Sequence, residues 1–338
     1  MRASRPAVPF NAAALPPLLA REHEPLADRR NVDVAIERAA LAAGLRAMPA
    51  HIPPKYLYDA LGCALYGAIC ELPEYYPTRT EAAIFARHRL DIAALVGRGK
   101  QLVDLGAGDC GKAALWLPYL APARYLAVDI AGDELERALA HLANDFPDID
   151  VVGVVADFTH GLDLRNDLTA EPATFFYPGS SIGNFGPDEA LALLRSIREH
   201  AVERSGSGLL IGVDTRKDVR RLVDAYDDRL GVTAAFNRNV LHHVNRVLGA
   251  DFDLERFAHV ALYNPIDNRI EMHLEARVAH VVHIDGVPRR FAAGERIHTE
   301  NSYKYAPDDF EILLRRARFA QVKRWTDDAE DFAVFYAT

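Results

Sequence analysis

The sequence has little of what secreted, membrane-spanning or nucleic-acid-binding proteins need. Only three cysteines (Cys63, Cys70 and Cys110) occur in 338 residues, with no C-x-x-C pair, and such a sparse, odd set is typical of a reducing compartment. No apolar run approaches the ~20 residues that a membrane-spanning helix requires. Basic residues number 39 against 48 acidic ones, and the resulting net charge of −9 argues against binding to nucleic-acid phosphates. We therefore expect a cytoplasmic protein with no membrane or nucleic-acid partner.

The composition is otherwise that of a folded enzyme. Half of the residues are hydrophobic and 26% are charged, and the length allows one large or two ordinary domains. Prolines and acids interrupt the N-terminal segment, which makes a poor signal peptide, and we expect its first ~15 residues to be loosely ordered. Among the 13 histidines the only close sets are His242 with His243 and His280 with His283, and no cysteine or carboxylate completes a recognisable ligand spacing beside them. We predict no metal cofactor.

The stretch QLVDLGAGDCGK, at 101–112, organises the rest of the chain. The apolar run from Leu102 to Leu105 stops at glycines, which predicts a buried parallel strand. Gly106 and Gly108 then form a turn at which a ligand can approach the backbone, and a helical run follows whose free N–H groups would point at that ligand. Strand, glycine turn and helix form the nucleotide-binding corner of a doubly wound sheet. The turn by itself leaves NAD and S-adenosylmethionine open as ligands.

Later strands supply residues suited to such a ligand. A second strand ends at Asp129, about twenty residues after the turn, where a carboxylate can accept hydrogen bonds from a ribose diol. A third strand ends in Asp157 and Phe158, a carboxylate and an aromatic ring that suit adenine. A fourth strand begins the stretch 173–185, and a fifth ends at Asp214. We predict an α/β sheet whose carboxyl edge binds the ligand.

After the fifth strand, the sequence no longer follows the pattern of a dinucleotide-binding domain. Residues 215–303 are helical at first and then alternate as antiparallel hairpins. A helix at 308–317 and two terminal strands follow, which is the usual end of an S-adenosylmethionine methyltransferase sheet. We therefore predict a methyltransferase domain made of 80–214 and 304–338, and a substrate-binding domain made of 20–79 and 215–303.

Three groups of residues lie at or near the carboxyl edge in the predicted order of strands. They are the tyrosine-rich segment 56–76, the stretch Gly179–Asn184 after the fourth strand, and Thr299–Lys304 at the end of the insertion. Glu300 and Ser302 are two residues apart, so in an extended segment they project to the same side. That spacing aims a hydrogen-bond acceptor and a hydroxyl at one polar group. The alternative is that both side chains are exposed to solvent.

Several motifs are spread from about residue 30 to the C-terminus. They are YLYD, LPEYYPTRTE, VDLGAGDCGK, ADF, GSSIGNF, AYDDRLGVTAAFNRNVL, NRVLGADFD, RIEMHLEAR and FAAGERIHTENSYKY. Together they resemble the histidine-specific Nα-methyltransferases of ergothioneine biosynthesis. The resemblance implies a Rossmann-like class I methyltransferase sheet with a closing antiparallel hairpin, plus a second α+β substrate-binding domain inserted after strand five. It also implies transfer of three methyl groups from S-adenosylmethionine to the α-amine of L-histidine, giving hercynine and S-adenosylhomocysteine.

The same resemblance implies roles for individual residues, carried over by motif. The methyl donor would be held by Tyr58, Gly106, Lys112, Asp129, Asp157 and Phe158. The carboxylate and amine of histidine would be held by Tyr75, Asn184 and Tyr226. Glu300 and Ser302 would bind the imidazole, with Met272 shaping its pocket. The catalytic group that orients the amine would be Tyr58, Asn184 and Tyr226, and we expect a monomer.

Two other classes of function stay open at this point. An NAD-dependent oxidoreductase is compatible with the glycine turn but not with the closing hairpin. A catalytically idle S-adenosylmethionine sensor is compatible with the fold but would not need Glu300 and Ser302. For the enzyme, we expect no acidic group beside the aromatic residues that face the amine (Tyr58, Tyr75 and Tyr226), since a carboxylate there would keep the amine protonated.

Overall fold

The largest unit of the molecule is an eight-stranded sheet. In this computed structural model, which describes residues 26–29, 34–158 and 161–338, its strands are β1 (Ala27–Asp28), β3 (Gln101–Leu105), β4 (Arg124–Asp129), β5 (Asp150–Val155), β6 (Ala173–Tyr177), β7 (Gly208–Asp214), β13 (Val322–Thr326) and β14 (Phe332–Ala337). The expectation for the first ~15 residues lies outside the described chain. The spatial order is β1-β5-β4-β3-β6-β7-β14-β13, and neighbours are parallel except that β14 is antiparallel to both β7 and β13. This is the predicted parallel sheet with its closing hairpin.

Helices cover both faces of this sheet. They are α3 (Tyr76–Val96), α4 (Gly111–Ala114), α5 (Leu117–Leu120), α6 (Gly132–Asp145), α7 (Pro187–Val202) and α10 (Pro307–Arg316). Successive residues of a strand point to opposite faces, so Val103 packs in the core with residues of α7 and α10, while its neighbour Leu102 packs with residues of α3 and α6. The central strands are buried on both faces, as expected for a parallel sheet between helix layers. The fold class predicted for this part of the chain is confirmed.

The remaining elements build a separate core. They are α1 (Val34–Arg46), β2 (Ala50–His51), α2 (Ala60–Cys70), α8 (Val219–Asp224), α9 (Val232–Leu248), β8 (Phe257–Asn264), β9 (Arg269–Ala276), β10 (His280–Ile284), β11 (Val287–Phe291) and β12 (Arg296–Tyr303). Four strands form a sheet in the order β2-β12-β9-β8, and β10 pairs with β11 as a hairpin. One hydrophobic cluster joins Leu41 of α1 to Phe236 of α9 and Leu274 of β9. The division into two domains stays a prediction, and this shared core supports it.

The structure differs from the sequence prediction at three boundaries. The helix expected after the glycine turn is broken into α4 and α5, because Pro118 has no N–H and its ring excludes the carbonyl four residues earlier from a continuous helix. Helix α3 begins at Tyr76 rather than at Glu81, with a proline in its first turn. The third parallel strand ends at Val155, short of Asp157. The order of strands is unaffected by these shifts.

Gly212, in the middle of β7, is a position where a side chain has no room. A Cβ added there would lie 2.1 Å from Oε1 of Glu81 and 2.9 Å from Cε1 of Phe332. We expect Gly212→Ala to lower the free energy of unfolding by about 1–3 kcal/mol, because two buried side chains must move. Urea unfolding of the purified variant measures this difference.

Gly67→Ala is the matched control for that substitution. Gly67 lies on an exposed position of α2, and nothing outside its own helix lies within 4 Å of an added Cβ. Here alanine should raise the free energy of unfolding by about 0.5–1 kcal/mol, since glycine loses more backbone entropy in a helix. Equal stabilities of the two variants would contradict the packing described for Gly212.

Candidate active site

A cavity opens at the carboxyl ends of β6 and β7, where these strands face β12 and the helices of the second core. Its empty space, together with the open solvent at its mouth, is about 570 Å³, of which the centre of a water molecule can reach about 40 Å³. Every residue that the sequence analysis assigned to histidine lies in its lining, namely Tyr75, Asn184, Tyr226, Met272, Glu300 and Ser302. Tyr58 lies there too, whereas the other residues assigned to the methyl donor do not. The structure therefore gathers one of the two predicted groups into a single cavity.

Glu300 and Ser302 project into this cavity from one face of β12. The register of β12 against β9 shifts between His298 and Glu300, which leaves Thr299 as the extra residue of a β-bulge. The Thr299 hydroxyl is fully buried and donates a hydrogen bond to the carbonyl oxygen of Met272 over 3.0 Å. Glu300 and Ser302 are 6% and 4% exposed, so the prediction that they share one side is confirmed and the solvent-exposed alternative is wrong.

The carboxylate of Glu300 lies among groups that were assigned to the amine of histidine. Asn184 Nδ2 donates a hydrogen bond to Oε1 of Glu300 over 3.3 Å, and the phenol of Tyr58 lies near enough to the same carboxylate to affect its pKa. Burial raises the pKa of Glu300 to about 7, against the lowering effect of Lys304, Tyr58 and Asn184. The expectation of no acidic group beside Tyr58 is therefore wrong. Sequence spacing could not show that β12 brings Glu300 against these two side chains.

The hydroxyl of Ser302 belongs to a second polar cluster. Tyr226 Oη donates to Ser302 Oγ over 2.7 Å, so Tyr226, which was assigned to the amine, contacts the group assigned to the imidazole. Lys304 Nζ donates to both oxygens, over 2.8 Å to Ser302 and 3.0 Å to Tyr226. The same Nζ lies 2.7 Å from Oδ2 of Asp214, and neither charged side chain is more than 1% exposed. A buried ion pair thus holds both hydroxyls.

Lys304 and Asp214 are the functional candidates that sequence reasoning missed. The Asp214 carboxylate also contacts Nζ of Lys217 and accepts a hydrogen bond from Tyr76 Oη over 2.8 Å. Burial alone would raise the pKa of Asp214, but the two lysines hold it below its usual value. The sequence did contain a signal for Lys304. In an extended segment, residues two apart project to the same side, so Lys304 is expected on the same side as Ser302. The sequence placed Asp214 at the carboxyl end of the fifth strand but gave no role to its side chain.

Aromatic rings form the wall between the two polar clusters. Tyr58 contacts Tyr66 and Phe236 edge to face, with ring centroids 5.8 and 5.7 Å apart, and Tyr75 contacts Tyr226 at 6.2 Å. Burial raises the pKa of the Tyr58, Tyr75 and Tyr226 phenols above the usual value. These phenols are therefore neutral near pH 7, and they offer hydrogen bonds and ring faces rather than charge.

The glycine turn lies next to this edge, at the carboxyl ends of β3 and β4. Gly106 and Gly108 have positive φ angles of 70° and 53°, and nothing lies within 4 Å of a Cβ added at Gly108. Asp129 Oδ2 accepts a hydrogen bond from N of Gly108 over 2.9 Å and fixes the turn. The expected free N–H at the start of the following helix is wrong at its first residue, because Gly111 N donates to the Asp109 side chain. The open side of the turn is the backbone of Gly108.

Lys112 connects the glycine turn to the wall of the cavity. Its Nζ lies 2.7 Å from Oε2 of the buried Glu81, whose Oε1 accepts a hydrogen bond from N of Gly179 over 2.7 Å. Burial lowers the pKa of Lys112, but the charge and hydrogen bond of Glu81 outweigh it and raise that pKa. Lys112 therefore carries a positive charge where the glycine turn and the cavity meet.

Asp157 and Phe158 follow β5 on the other side of the turn. The Asp157 carboxylate lies 2.8 Å from Nζ of Lys55, a residue of the segment between β2 and α2. The ring of Phe158 contacts the ring of Tyr177 edge to face, with centroids 6.0 Å apart. Both residues therefore lie at the nucleotide corner, with Asp157 already engaged by a lysine from the second core.

The histidine pairs noted in the sequence are engaged in protein contacts. His243 Nδ1 lies 2.8 Å from the carbonyl oxygen of Tyr56, and His283 Nδ1 lies 2.8 Å from Oδ2 of Asp251. Across 26–29, 34–158 and 161–338, no three His, Cys, Asp or Glu side chains lie close enough together to hold a metal ion. In the same ranges no helix is long and apolar enough to cross a bilayer.

Comparison with known proteins decides the family. Residues 37–338 match the profile of the family described as histidine-specific methyltransferase, SAM-dependent. The chain belongs to this family. The matched range includes the cavity, the glycine turn and all of β12. The protein is thus an S-adenosylmethionine-dependent methyltransferase, and the family identified from its motifs is confirmed.

Named relatives cover nearly the whole chain. Histidine N-alpha-methyltransferase of Mycolicibacterium smegmatis is 41% identical over 320 residues, which is 92% of this chain and 98% of the relative. The protein of the same name from Mycobacterium tuberculosis is 37% identical over 87% of this chain and 92% of its own length. Ergothioneine biosynthesis protein 1 of Neurospora crassa is 28% identical over 82% of this chain but only 32% of its own length.

The raised pKa of Glu300 makes a testable difference to stability. A carboxyl group that titrates at about 7 when folded and at 4.5 when unfolded binds its proton more tightly in the folded state. Its contribution to stability is therefore full at pH 4 and is lost as the pH rises through 7, a change of roughly 3 kcal/mol. Glu300→Gln does not titrate, so its free energy of unfolding relative to wild type should rise between pH 5 and pH 8. Urea unfolding at both pH values measures the difference.

Glu271→Gln is the control of opposite sign. Hydrogen bonds from Asn264, Arg269 and His273 lower the pKa of Glu271 to about 2, although burial works the other way. That carboxylate stabilises the fold above pH 4.5, so this variant should lose stability relative to wild type as the pH rises from 2 to 5. A Glu300→Gln variant whose relative stability is the same at pH 5 and pH 8 would show that Glu300 titrates normally.

Proposed function

We propose that this methyltransferase transfers three methyl groups to the α-amine of L-histidine, giving hercynine, as a step of ergothioneine biosynthesis. The observation that carries the proposal is the buried Glu300 and Ser302 pair in one cavity with Tyr58, Tyr75 and Asn184, in a chain of the histidine-specific family. The names of its relatives support the same substrate and pathway. We further propose that the chain acts as a cytoplasmic monomer.

The methyl donor would lie along the carboxyl ends of β3, β4 and β5. Gly106 and Gly108 would let it approach the backbone, and the second lone pairs of the Asp129 oxygens would accept hydrogen bonds from its ribose. Asp157 and Phe158 would lie at its adenine. When bound, S-adenosylmethionine supplies a methyl group on a sulfonium, which an unprotonated amine displaces in line.

Lys112 would contribute a positive charge at the other end of the donor. Its position beside Gly179 puts this charge at the boundary between the turn and the cavity. A carboxylate of the methyl donor is the complementary group there. The proposed order along the sheet edge is therefore adenine at β5, ribose at β4 and the amino-acid part of the donor toward β6, which points its methyl group to the cavity.

The amino acid would lie in the cavity with its imidazole between Glu300 and Ser302. Met272 pairs with Glu300 across the two strands and would bound the ring. The amine would face Tyr58 and Asn184, since both lie at the Glu300 end nearest the tyrosine wall. The Glu300 carboxylate would then lie near the amine as well as the ring, and the groups in direct contact with the amine would be the neutral phenol of Tyr58 and the neutral amide of Asn184.

Neutral aromatic walls favour repeated methylation. The phenols of Tyr58, Tyr75 and Tyr226 stay protonated because burial raises their pKa, so they orient the amine without holding it as an ammonium ion. Each added methyl removes an N–H donor, while the attraction of ring faces for a cation persists. Mono- and dimethylhistidine should therefore remain substrates, and the quaternary product should stop the reaction because no lone pair is left.

A time course with excess S-adenosylmethionine tests the proposal. Purified protein and L-histidine should give successive mass increases that end at three methyl groups, all on the α-nitrogen. Final accumulation of monomethylhistidine, or methylation of a ring nitrogen, would refute the proposed placement of the amine. An idle S-adenosylmethionine sensor would bind the donor with no turnover of any of the common amino acids.

The ribose contact is tested separately by Asp129→Ala. Loss of a charged acceptor should weaken binding of S-adenosylhomocysteine by about 1.5–3 kcal/mol, measured by calorimetry. Asp133→Ala is the control, because this exposed carboxylate lies on the same strand-to-helix connection in the first turn of α6. Unchanged affinity in Asp129→Ala, or an equal loss in both variants, would remove the role from Asp129.

A further inference from the structure

We propose that Lys304 is a positioning residue that makes the Ser302 hydroxyl an obligatory hydrogen-bond donor, so that the site accepts only a ring with an unprotonated nitrogen at this point. The proposal rests on the proposed function, because it treats the ligand ring as an imidazole. Lys304 would join Glu300 and Ser302 in determining which side chain binds, and together they would select the neutral form of the ring. The three groups that surround the Lys304 ammonium carry the argument.

The hydrogen-bonding capacity of Lys304 is fully used. Its ammonium has three N–H bonds, and three oxygens surround it, on Asp214 at 2.7 Å, Ser302 at 2.8 Å and Tyr226 at 3.0 Å. An ammonium can only donate, so each of the three oxygens must use a lone pair on it. The side chain is fully buried, and water therefore competes for none of these bonds.

In this arrangement the Ser302 hydroxyl can only donate a hydrogen bond to a ligand. A serine oxygen has two lone pairs and one hydrogen. One lone pair accepts from Lys304, and the other accepts from Tyr226 Oη, which donates over 2.7 Å. The remaining O–H has no acceptor left inside the cluster, and Ser302 lines the cavity. It must therefore donate to the ligand.

Glu300, two residues before Ser302 on the same face of β12, requires the complementary pattern. Above its pKa of about 7 the Glu300 carboxyl group is ionised and is an acceptor only, so it needs an N–H from the ring. A ring held between Glu300 and Ser302 then needs one N–H and one bare nitrogen, which describes neutral imidazole. An imidazolium ion has two N–H groups. One of them would point at the Ser302 hydrogen, and two donors cannot form a hydrogen bond with each other.

Asp214 holds the Lys304 ammonium in place, so Ser302 remains a hydrogen-bond donor toward the cavity. Asp214 lies at the end of β7 and is held from its other side by Lys217 and Tyr76. Burial lowers the pKa of Lys304, but the charge of Asp214 outweighs it and raises that pKa, so the ammonium does not lose its proton. Removing the ammonium would free one lone pair on each of the three oxygens. The spare O–H could then turn to Asp214, directly or through a water, and away from the ligand.

The test compares Lys304→Met with Lys217→Met by calorimetry in the presence of S-adenosylhomocysteine. Both substitutions remove one buried lysine that contacts Asp214, but Lys217 touches neither Ser302 nor Tyr226. The ligands are L-histidine and the two isomers of pyrrolylalanine, each with CH in place of one ring nitrogen. One of these isomers keeps the N–H for Glu300 and presents CH to Ser302.

Wild type should prefer histidine over the better pyrrole isomer by about tenfold or more, because CH leaves a buried donor unpaired. Lys217→Met should keep that preference, whereas Lys304→Met should reduce it to about threefold or less, with S-adenosylhomocysteine affinity unchanged. If the methionine variant does not fold, Lys304→Gln replaces it; its amide can also accept a hydrogen bond, so the same loss is expected.

Two outcomes would overturn the inference in distinguishable ways. A Lys304 variant that is folded and still prefers histidine as strongly as wild type would refute the positioning role alone. A wild-type protein that binds S-adenosylhomocysteine but not histidine would refute the proposed function and this inference with it. Equal loss of preference in the Lys217 and Lys304 variants would assign the effect to the charge balance of Asp214 rather than to Ser302.

Discussion

The ion pair between Asp214 and Lys304 is the interaction on which the candidate site depends. It joins the end of β7, in the large sheet, to the residue that follows β12, in the second sheet, and both charges are buried. The backbone reinforces the junction, since Tyr305 N donates to the carbonyl oxygen of Asp214 over 3.1 Å. Leaving either charge buried without its partner would cost about 3–5 kcal/mol, so the two sheets have a fixed relation at this point. The shape of the cavity depends on this fixed position of the two sheets.

The proposed sites for the donor and the acceptor of the methyl group lie on the two sides of the point where the strand order reverses. Strands β4 and β5 lie on one side of β3 and strands β6 and β7 lie on the other, so the connections leave a crevice between β3 and β6. The glycine turn and Asp129 lie on the first side, and the cavity lies on the second. Lys112 and Glu81 link them through Gly179. Two small-molecule sites can therefore meet without sharing the same side chains.

The sequence pattern predicted the features that depend on residues close together in the chain. Apolar runs located the parallel strands, and the alternation of an extended segment put Glu300 and Ser302 on one side. Features that depend on tertiary packing were not predictable, such as the contact of Asn184 with Glu300 across 116 positions of sequence. The bulge at Thr299 also had no sequence signal, because the partners of its hydroxyl, Asn237 Oδ1 on α9 at 2.7 Å and the Met272 carbonyl oxygen on β9 at 3.0 Å, are distant in sequence. Lys304 lay within reach of the alternation argument, as the last residue of the group Thr299–Lys304, but no role was assigned to its side chain from the sequence.

The most direct measurement of the central claim is the protonation state of the bound ring. Histidine labelled with nitrogen-15 in the imidazole can be observed by NMR in the ternary complex with S-adenosylhomocysteine near pH 8, above the pKa of about 7 at which Glu300 loses its proton. Recognition between Glu300 and Ser302 predicts two resolved signals, one of an N–H nitrogen and one of a bare nitrogen accepting a hydrogen bond. Two protonated ring nitrogens, or shifts equal to those of free histidine, would contradict it.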